Sequence, residues 1–176
     1  LFSNHNYGKQ TTIGTVDHLK NQSLKLFREY FDKYYVPNNM AICLAGDLDP
    51  DQTIKWIDEK FSSLQPKEVQ PYAAAPEADQ AAPITREVFG PDAETVLVGF
   101  RLPGIKAPEA KYIQMMNSML FNRVAGLIDL NLNQQQKVLL ANSNTFDLMD
   151  YTVHILTGRP KQGQTLEEVA TLLLDQ

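Results

Sequence analysis

"YYVPNNMAICLAGDLDPDQTIKWI" (Tyr34–Ile57) decides the fold. It closes one helix at a proline, runs through an apolar stretch and opens a second helix behind three alternating aspartates. Val36 precedes Pro37, and a residue in that position is pushed out of the helical region. "MAICLA" (Met40–Ala45) is a continuous apolar run, the pattern of a strand covered on both faces. Gly46 then allows a tight exit from the strand.

Asp47, Asp49 and Asp51 admit two readings. A calcium loop counted from Asp47 needs glycine at its sixth position and a bidentate glutamate at its twelfth. The residues there are Gln52 and Asp58, and Pro50 stiffens the middle. As a helix start, the same stretch works well. Asp49 is the N-cap, Pro50 the first helical residue and Gln52 the third, which together make a capping box. Asp51 favours the positive end of the helix dipole. Ile54, Ile57 and Phe61 recur along one face, so the helix start is the better reading.

Upstream, "LFSNHNYGKQTTIGT" (1–15) is loop-like, and Thr15 or Asp17 can start a short helical turn through Leu19. Ser23 is a natural N-cap for a helix over Leu24–Tyr35. Leu24, Phe27, Phe31 and Tyr34 fall at helical spacing on it. The aromatic group Phe27, Tyr30, Phe31, Tyr34 and Tyr35 reads as core beside a buried strand, with a binding surface as the alternative. Residues 65–83 carry Pro66, Pro71, Pro76 and Pro83 among Ala, Gln and Glu. Proline removes backbone donors and restricts its predecessor, so this is an extended linker.

Beyond the linker the pattern is β-α-β-β-α. "ETVLVGFRL" (94–102) is a buried strand. A helix begins near Pro108 and runs through Leu120, with Ile113, Met116 and Leu120 toward the core. "RVAGLIDLNLNQQQ" (123–136) suggests a shorter helical segment, bent near Gly126. "KVLLANSNTFDL" and "YTVHILTG" make an antiparallel pair. Thr165 and Glu168 form a capping box for a last helix with Leu166, Val169, Ala170 and Leu173 on its core face.

Bulk properties narrow the function classes. The 176 residues are 43% hydrophobic and 21% charged, with a net charge of −5. An acidic chain without Lys/Arg runs argues against nucleic acid as a partner. Its apolar runs are too short for a membrane-spanning helix. The single cysteine, Cys43, excludes an internal disulfide and a multi-cysteine zinc site, and reads as a small buried hydrophobe, with a nucleophile as the poorer alternative because no base is placed beside it. The chain starts at Leu1 without a signal pattern and ends inside a helical pattern, which reads as a piece of something longer.

Candidate sites have plain structural alternatives. His5 falls in a loop, His18 in a short helical turn and His154 in a strand, opposite in direction to Val153 and Ile155. No pair has metalloprotease spacing, and no nucleophile elbow, Walker loop or dinucleotide fingerprint is present. Glu167 and Glu168 are adjacent and diverge on a helix. Met115, Met116 and Met119 read as packing. No catalytic, cofactor-binding or metal residue is assigned from these patterns.

The ordered combination Tyr35, Pro37–Met40, Gly46–Asp47 and a helix ending in Phe61, with Gly14 ahead of it, resembles the pitrilysin/insulinase family of zinc metallopeptidases, the inverzincins. The matching segment is the one that follows the H-x-x-E-H region. The linker and the "ETVLVGFRLPG" strand extend the resemblance over most of the chain. It implies an α+β fold: a two-layer α/β domain of the LuxS/MPP-like metallohydrolase type at 84–176, truncated at its C-terminus. The C-terminal part of a similar domain at 1–64 precedes it, with the linker at 65–83.

The family's zinc is held by the two histidines of H-x-x-E-H and a distant glutamate, and the motif's own glutamate is the general base. None of these residues is present, so no ligand or base carries over. The family's Arg and Tyr pair has no counterpart in "LNLNQQQKVLLA", so that role does not carry over either. The resemblance therefore implies a non-catalytic portion of a metalloendopeptidase that needs zinc in the parent and none in this piece. Its implied partners are an upstream catalytic domain, the second half of the same protein and a peptide substrate, with a homodimer also open. The alternative is a piece of an inactive core or interaction subunit with the same fold. Nothing in the sequence selects a compartment.

Overall fold

The computed structural model describes residues 1–9 and 11–176. The chain forms two compact units, Phe2–Asp79 and Gln80–Gln176, with Leu1 joining the second. They divide within the proline-rich segment, between Asp79 and Gln80.

The first unit is helical. Its elements are α1 (Asn6–Lys9), α2 (Val16–Lys20), α3 (Leu24–Tyr34), a 3₁₀ turn at Pro37–Asn39 and α4 (Pro50–Phe61). Each longer helix starts where local chemistry demands it. Thr15 Oγ1 accepts the His18 N–H at 3.3 Å, and the His18 ring closes a capping box on α2. Ser23 Oγ accepts the Leu26 N–H, and Asp49 Oδ1 accepts the Gln52 N–H at 2.9 Å. Asp49 is thus the cap of α4, although only this half of its expected capping box forms.

Three expectations for this unit are corrected. Residues 41–45 are not a strand, and Ile42 and Leu44 are 47% and 56% exposed. Strand backbone must pair its N–H and C=O groups with a neighbour, and no strand lies among the described residues of this unit. Cys43, on the same run, is exposed rather than buried. The aromatic stripe is also open, with Phe27 68% and Phe31 51% exposed. Periodicity correctly found an apolar face, but a face becomes core only where a second layer covers it. Val36 and His5 are the buried residues among those described in this unit.

The second unit is a three-stranded antiparallel sheet with helices on one face. β1 (Val96–Pro103), α5 (Ala110–Leu120), a π-helical turn (Asp129–Asn133), β2 (Leu140–Asp147), β3 (Tyr151–Arg159) and α6 (Leu166–Leu174) follow in order. The strand order is β1-β3-β2. This is the expected β-α-β-β-α succession, with α5 starting two residues after Pro108.

The register pairs Val98 and Ser143 with Leu156, and Phe100 and Thr145 with His154. Side chains alternate on β3. Thr152, His154, Leu156 and Gly158 are buried, whereas Val153, Ile155 and Thr157 are half-buried. The core is Ile128, Leu132, Val138, Ala141, Leu156, Val169 and Leu173, flanked by Val96, Val98, Leu120, Phe121 and Leu172. α6 lies so close to β3 that a Cβ at Gly158 would stand 2.4 Å from Val169 Cγ1. Glycine is required there by that approach. Its cap is complete: Thr165 Oγ1 accepts the Glu168 N–H, and Glu168 Oε2 accepts the Thr165 N–H at 2.9 Å.

Ile113 is the buried residue of α5. Met116, expected toward the core, is 38% exposed, and Met115 and Met119 are 63% and 59% exposed. The methionine group thus flanks the packing face rather than filling it.

Candidate functional site

The chemistry-bearing residues fall into separate places. His18 caps α2, as above. His5 is 1% exposed and packs its ring 4.1 Å from that of Tyr7. Its Nδ1 accepts the Tyr7 N–H at 3.2 Å. His154 lies in the second unit. Among the described residues no group of three or more His, Cys, Asp or Glu is placed to hold a metal ion. The aspartates after Gly46 are exposed, with Asp49 committed to its helix cap.

The most ordered polar cluster is inside the second unit. His154 and Ser143 are 4% and 1% exposed. Ser143 Oγ lies 2.7 Å from His154 Nε2 and 2.7 Å from Asn117 Oδ1. A carbonyl oxygen only accepts, so the serine O–H is spent on Asn117. The serine oxygen then accepts a hydrogen bond from His154 Nε2–H. The Phe100 ring stacks 5.9 Å from the imidazole. Burial of the ring lowers the His154 pKa from its ordinary 6.5, because removing water penalises the charged form.

A Ser–His contact at this distance resembles a nucleophile with its base. Here the pair is built into the packing of the unit. The serine proton is committed to the amide, and both groups are enclosed where a substrate cannot reach them. The network ties β2, β3 and α5 together.

A second buried group closes the chain before the π-helical turn. Asp129, 6% exposed, accepts the Asn122 and Gly126 N–H groups at 3.0 and 3.2 Å on Oδ2. Asn122 Oδ1 accepts the Val124 and Ala125 N–H groups. Asn133 clamps the start of β2, giving and taking 2.8 Å hydrogen bonds with Ala141. Sequence reasoning had passed over Asn117, Asp129, Asn133 and Ser143. The signal for Ser143 and Asn117 was the alternation of β3, which places His154 on a face needing polar partners; Asp129 and Asn133 had none.

In the first unit, Ile42, Leu44, Leu48, Ile54 and Ile57 line an apolar groove of about 340 Å³ between the extended run and α4. It carries no titratable side chain. No helix among the described residues is long and apolar enough to cross a membrane.

Comparisons with known proteins agree with this architecture. The chain is similar to the zinc protease PqqE of Helicobacter pylori, 22% identical over 174 residues. That match covers 94% of this chain and 39% of the relative, so the chain spans about two-fifths of its length. A shorter match, 32% over 60 residues, joins it to the probable zinc protease PqqL of Haemophilus influenzae, covering 34% of this chain and 6% of that protein.

Among solved structures, a protease from Helicobacter pylori superposes with a TM-score of 0.72 at 21% identity, over 93% of this chain and 40% of that one. The periplasmic protease PqqL from Escherichia coli gives a TM-score of 0.63 at 17% identity, over 92% and 19% of the two chains. These superpositions establish the α+β fold. The sequence profile described as "Peptidase M16 inactive domain" matches residues 22–174. The chain belongs to the Peptidase M16 family, and to its inactive domain.

Proposed function

We propose that this chain is the non-catalytic portion of a zinc metalloendopeptidase, serving as scaffold and as wall of a chamber in which peptides are hydrolysed. The observation that carries the reading is the open apolar layer of the first unit. Phe27, Tyr30 and Phe31 on α3, and Ile42 and Leu44 beside α4, face solvent in a unit with almost no core of its own. Large apolar side chains gathered on one exposed helix face mark a surface that a partner covers. A catalytic domain that supplies the missing sheet would cover it. The described residues do not fit a zinc site, since their histidines stand apart in three different settings. No step of hydrolysis is therefore assigned to them.

Hydrogen-exchange and hydroxyl-radical footprinting of α3 and residues 40–45 test this. Both should be labelled readily in the isolated chain and protected in the full-length protein. Equal labelling of Phe27 and Phe31 in both would overturn the scaffold reading. Protection in a full-length protein that cleaves no peptide would instead favour the inactive-subunit alternative.

A further inference from the structure

We infer that residues 65–79 are a strap fastened to the first unit at both ends, so that the tether joining the two units is 80–94 rather than the whole proline-rich segment. The first fastening uses Asn38, a residue of the "VPNNM" motif. Its Nδ2 donates to the Lys67 carbonyl at 2.8 Å, and its Oδ1 accepts the Lys67 N–H at 3.1 Å. The side chain thus pairs both backbone groups of one residue, as a neighbouring strand would. Only the amide of Asn or Gln offers donor and acceptor side by side in this way.

Lys67 adds a third contact. Its Nζ donates to the Asp32 carbonyl at 2.9 Å, in the last turn of α3, where a cation is favoured by the helix dipole. The 3₁₀ turn at Pro37–Asn39 sets Asn38 in position. Asn39, its neighbour, does something else: its Nδ2 donates to the Tyr34 carbonyl at 2.9 Å and finishes α3.

The second fastening is Glu77. Its Oε1 accepts the N–H groups of both Asn4 and His5, each at 2.6 Å. Beyond Asp79 the character changes. Residues 80–94 are exposed throughout, and their hydrogen bonds are local, such as Arg86 Nη1 to the Thr85 carbonyl.

The consequence is a length. A chain spans at most about 3.3–3.6 Å per residue. The fifteen residues of 80–94 then reach roughly 50 Å, and releasing the strap would roughly double that reach. Asn38 and Glu77 therefore set the free length of the connecting segment. This stands on the geometry of the first unit and holds whether or not the chain serves a peptidase.

Limited trypsin digestion of the full chain, read by mass spectrometry, tests it with an internal control. Lys67–Glu68 and Arg86–Glu87 are both basic–Glu bonds outside helices and strands, one in the strap and one in the tether. Cleavage at Arg86 should outpace Lys67 by about tenfold, the protection given by hydrogen bonds that must open first. Asn38→Ala should raise the Lys67 rate by about tenfold and leave Arg86 unchanged. Asn38→Asp, which keeps the acceptor and loses the donor, should fall between. Asn39→Ala should leave Lys67 protected. Equal rates at the two bonds in the unaltered chain, or no effect of Asn38→Ala, would overturn the strap. If Asn38→Ala fails to fold, exchange of the Lys67 amide in the unaltered chain decides. Slowed exchange supports the fastening, and exchange at the open-chain rate refutes it.

Discussion

Replacing Ser143 by alanine should destabilise the second unit by about 2 kcal/mol. The substitution removes two 2.7 Å hydrogen bonds, to Asn117 Oδ1 and His154 Nε2. Their ends differ in what happens next. Asn117 is half-buried on α5 and can turn its amide to water. His154 is 4% exposed and cannot, so its N–H is left buried and unpaired. That costs about 1–3 kcal/mol, and the small gain from no longer burying the serine hydroxyl does not offset it. With a urea slope of about 1–3 kcal/mol per molar, the unfolding midpoint should drop by about 1 M. Far-UV circular dichroism during urea titration reads it, with sheet amide exchange to assign the loss to β2 and β3. Adding His154→Phe should return part of the loss, because the orphaned donor is then gone. A double-mutant cycle should show coupling of about 1 kcal/mol or more. A single-mutant cost below about 0.5 kcal/mol, or no coupling, would refute the network as the tie between the two strands and α5.

Two further outcomes follow from the same unit. Burial holds the His154 pKa below 6.5, so between the folded and unfolded values the unfolded chain binds more protons. Stability is then full above about pH 6.5 and falls as pH drops below it, by at most about 1.4 kcal/mol per unit, levelling off below the folded value. Urea titrations at stepped pH should show this slope, and His154→Phe should flatten it. Gly158→Ala should cost about 1–3 kcal/mol, since the new Cβ would sit 2.4 Å from Val169 Cγ1. Its melting temperature, with α6 amide exchange, checks that the damage lies where α6 crosses β3.

Helix starts were legible in the sequence because their chemistry is local. Thr15, Ser23, Asp49 and Thr165 each reach an N–H three residues away. The β-α-β-β-α succession was legible for the same reason, from periodicity and turn residues. What failed depended on contacts that local sequence does not encode. Met40–Ala45 has strand composition, but pairing cannot be read from composition. The α3 stripe marks an apolar face without saying whether a layer covers it.

On β3, parity separated His154 from Val153 and Ile155 without saying which face is buried. The packing of α5 and α6 decides it: Thr152, His154, Leu156 and Gly158 are buried, and Ser143 and Asn117 make the polar face acceptable there. The hold of Asn38 on Lys67 spans 29 residues, and no spacing rule announces it.

Zinc stoichiometry of the purified chain tests the scaffold assignment most directly. The chain is loaded with excess zinc, dialysed exhaustively and assayed by elemental analysis, with peptide cleavage followed in parallel. The scaffold assignment predicts zinc far below one equivalent and no cleavage above the buffer rate. One retained zinc per chain, with peptide hydrolysis that a chelator abolishes, would contradict it.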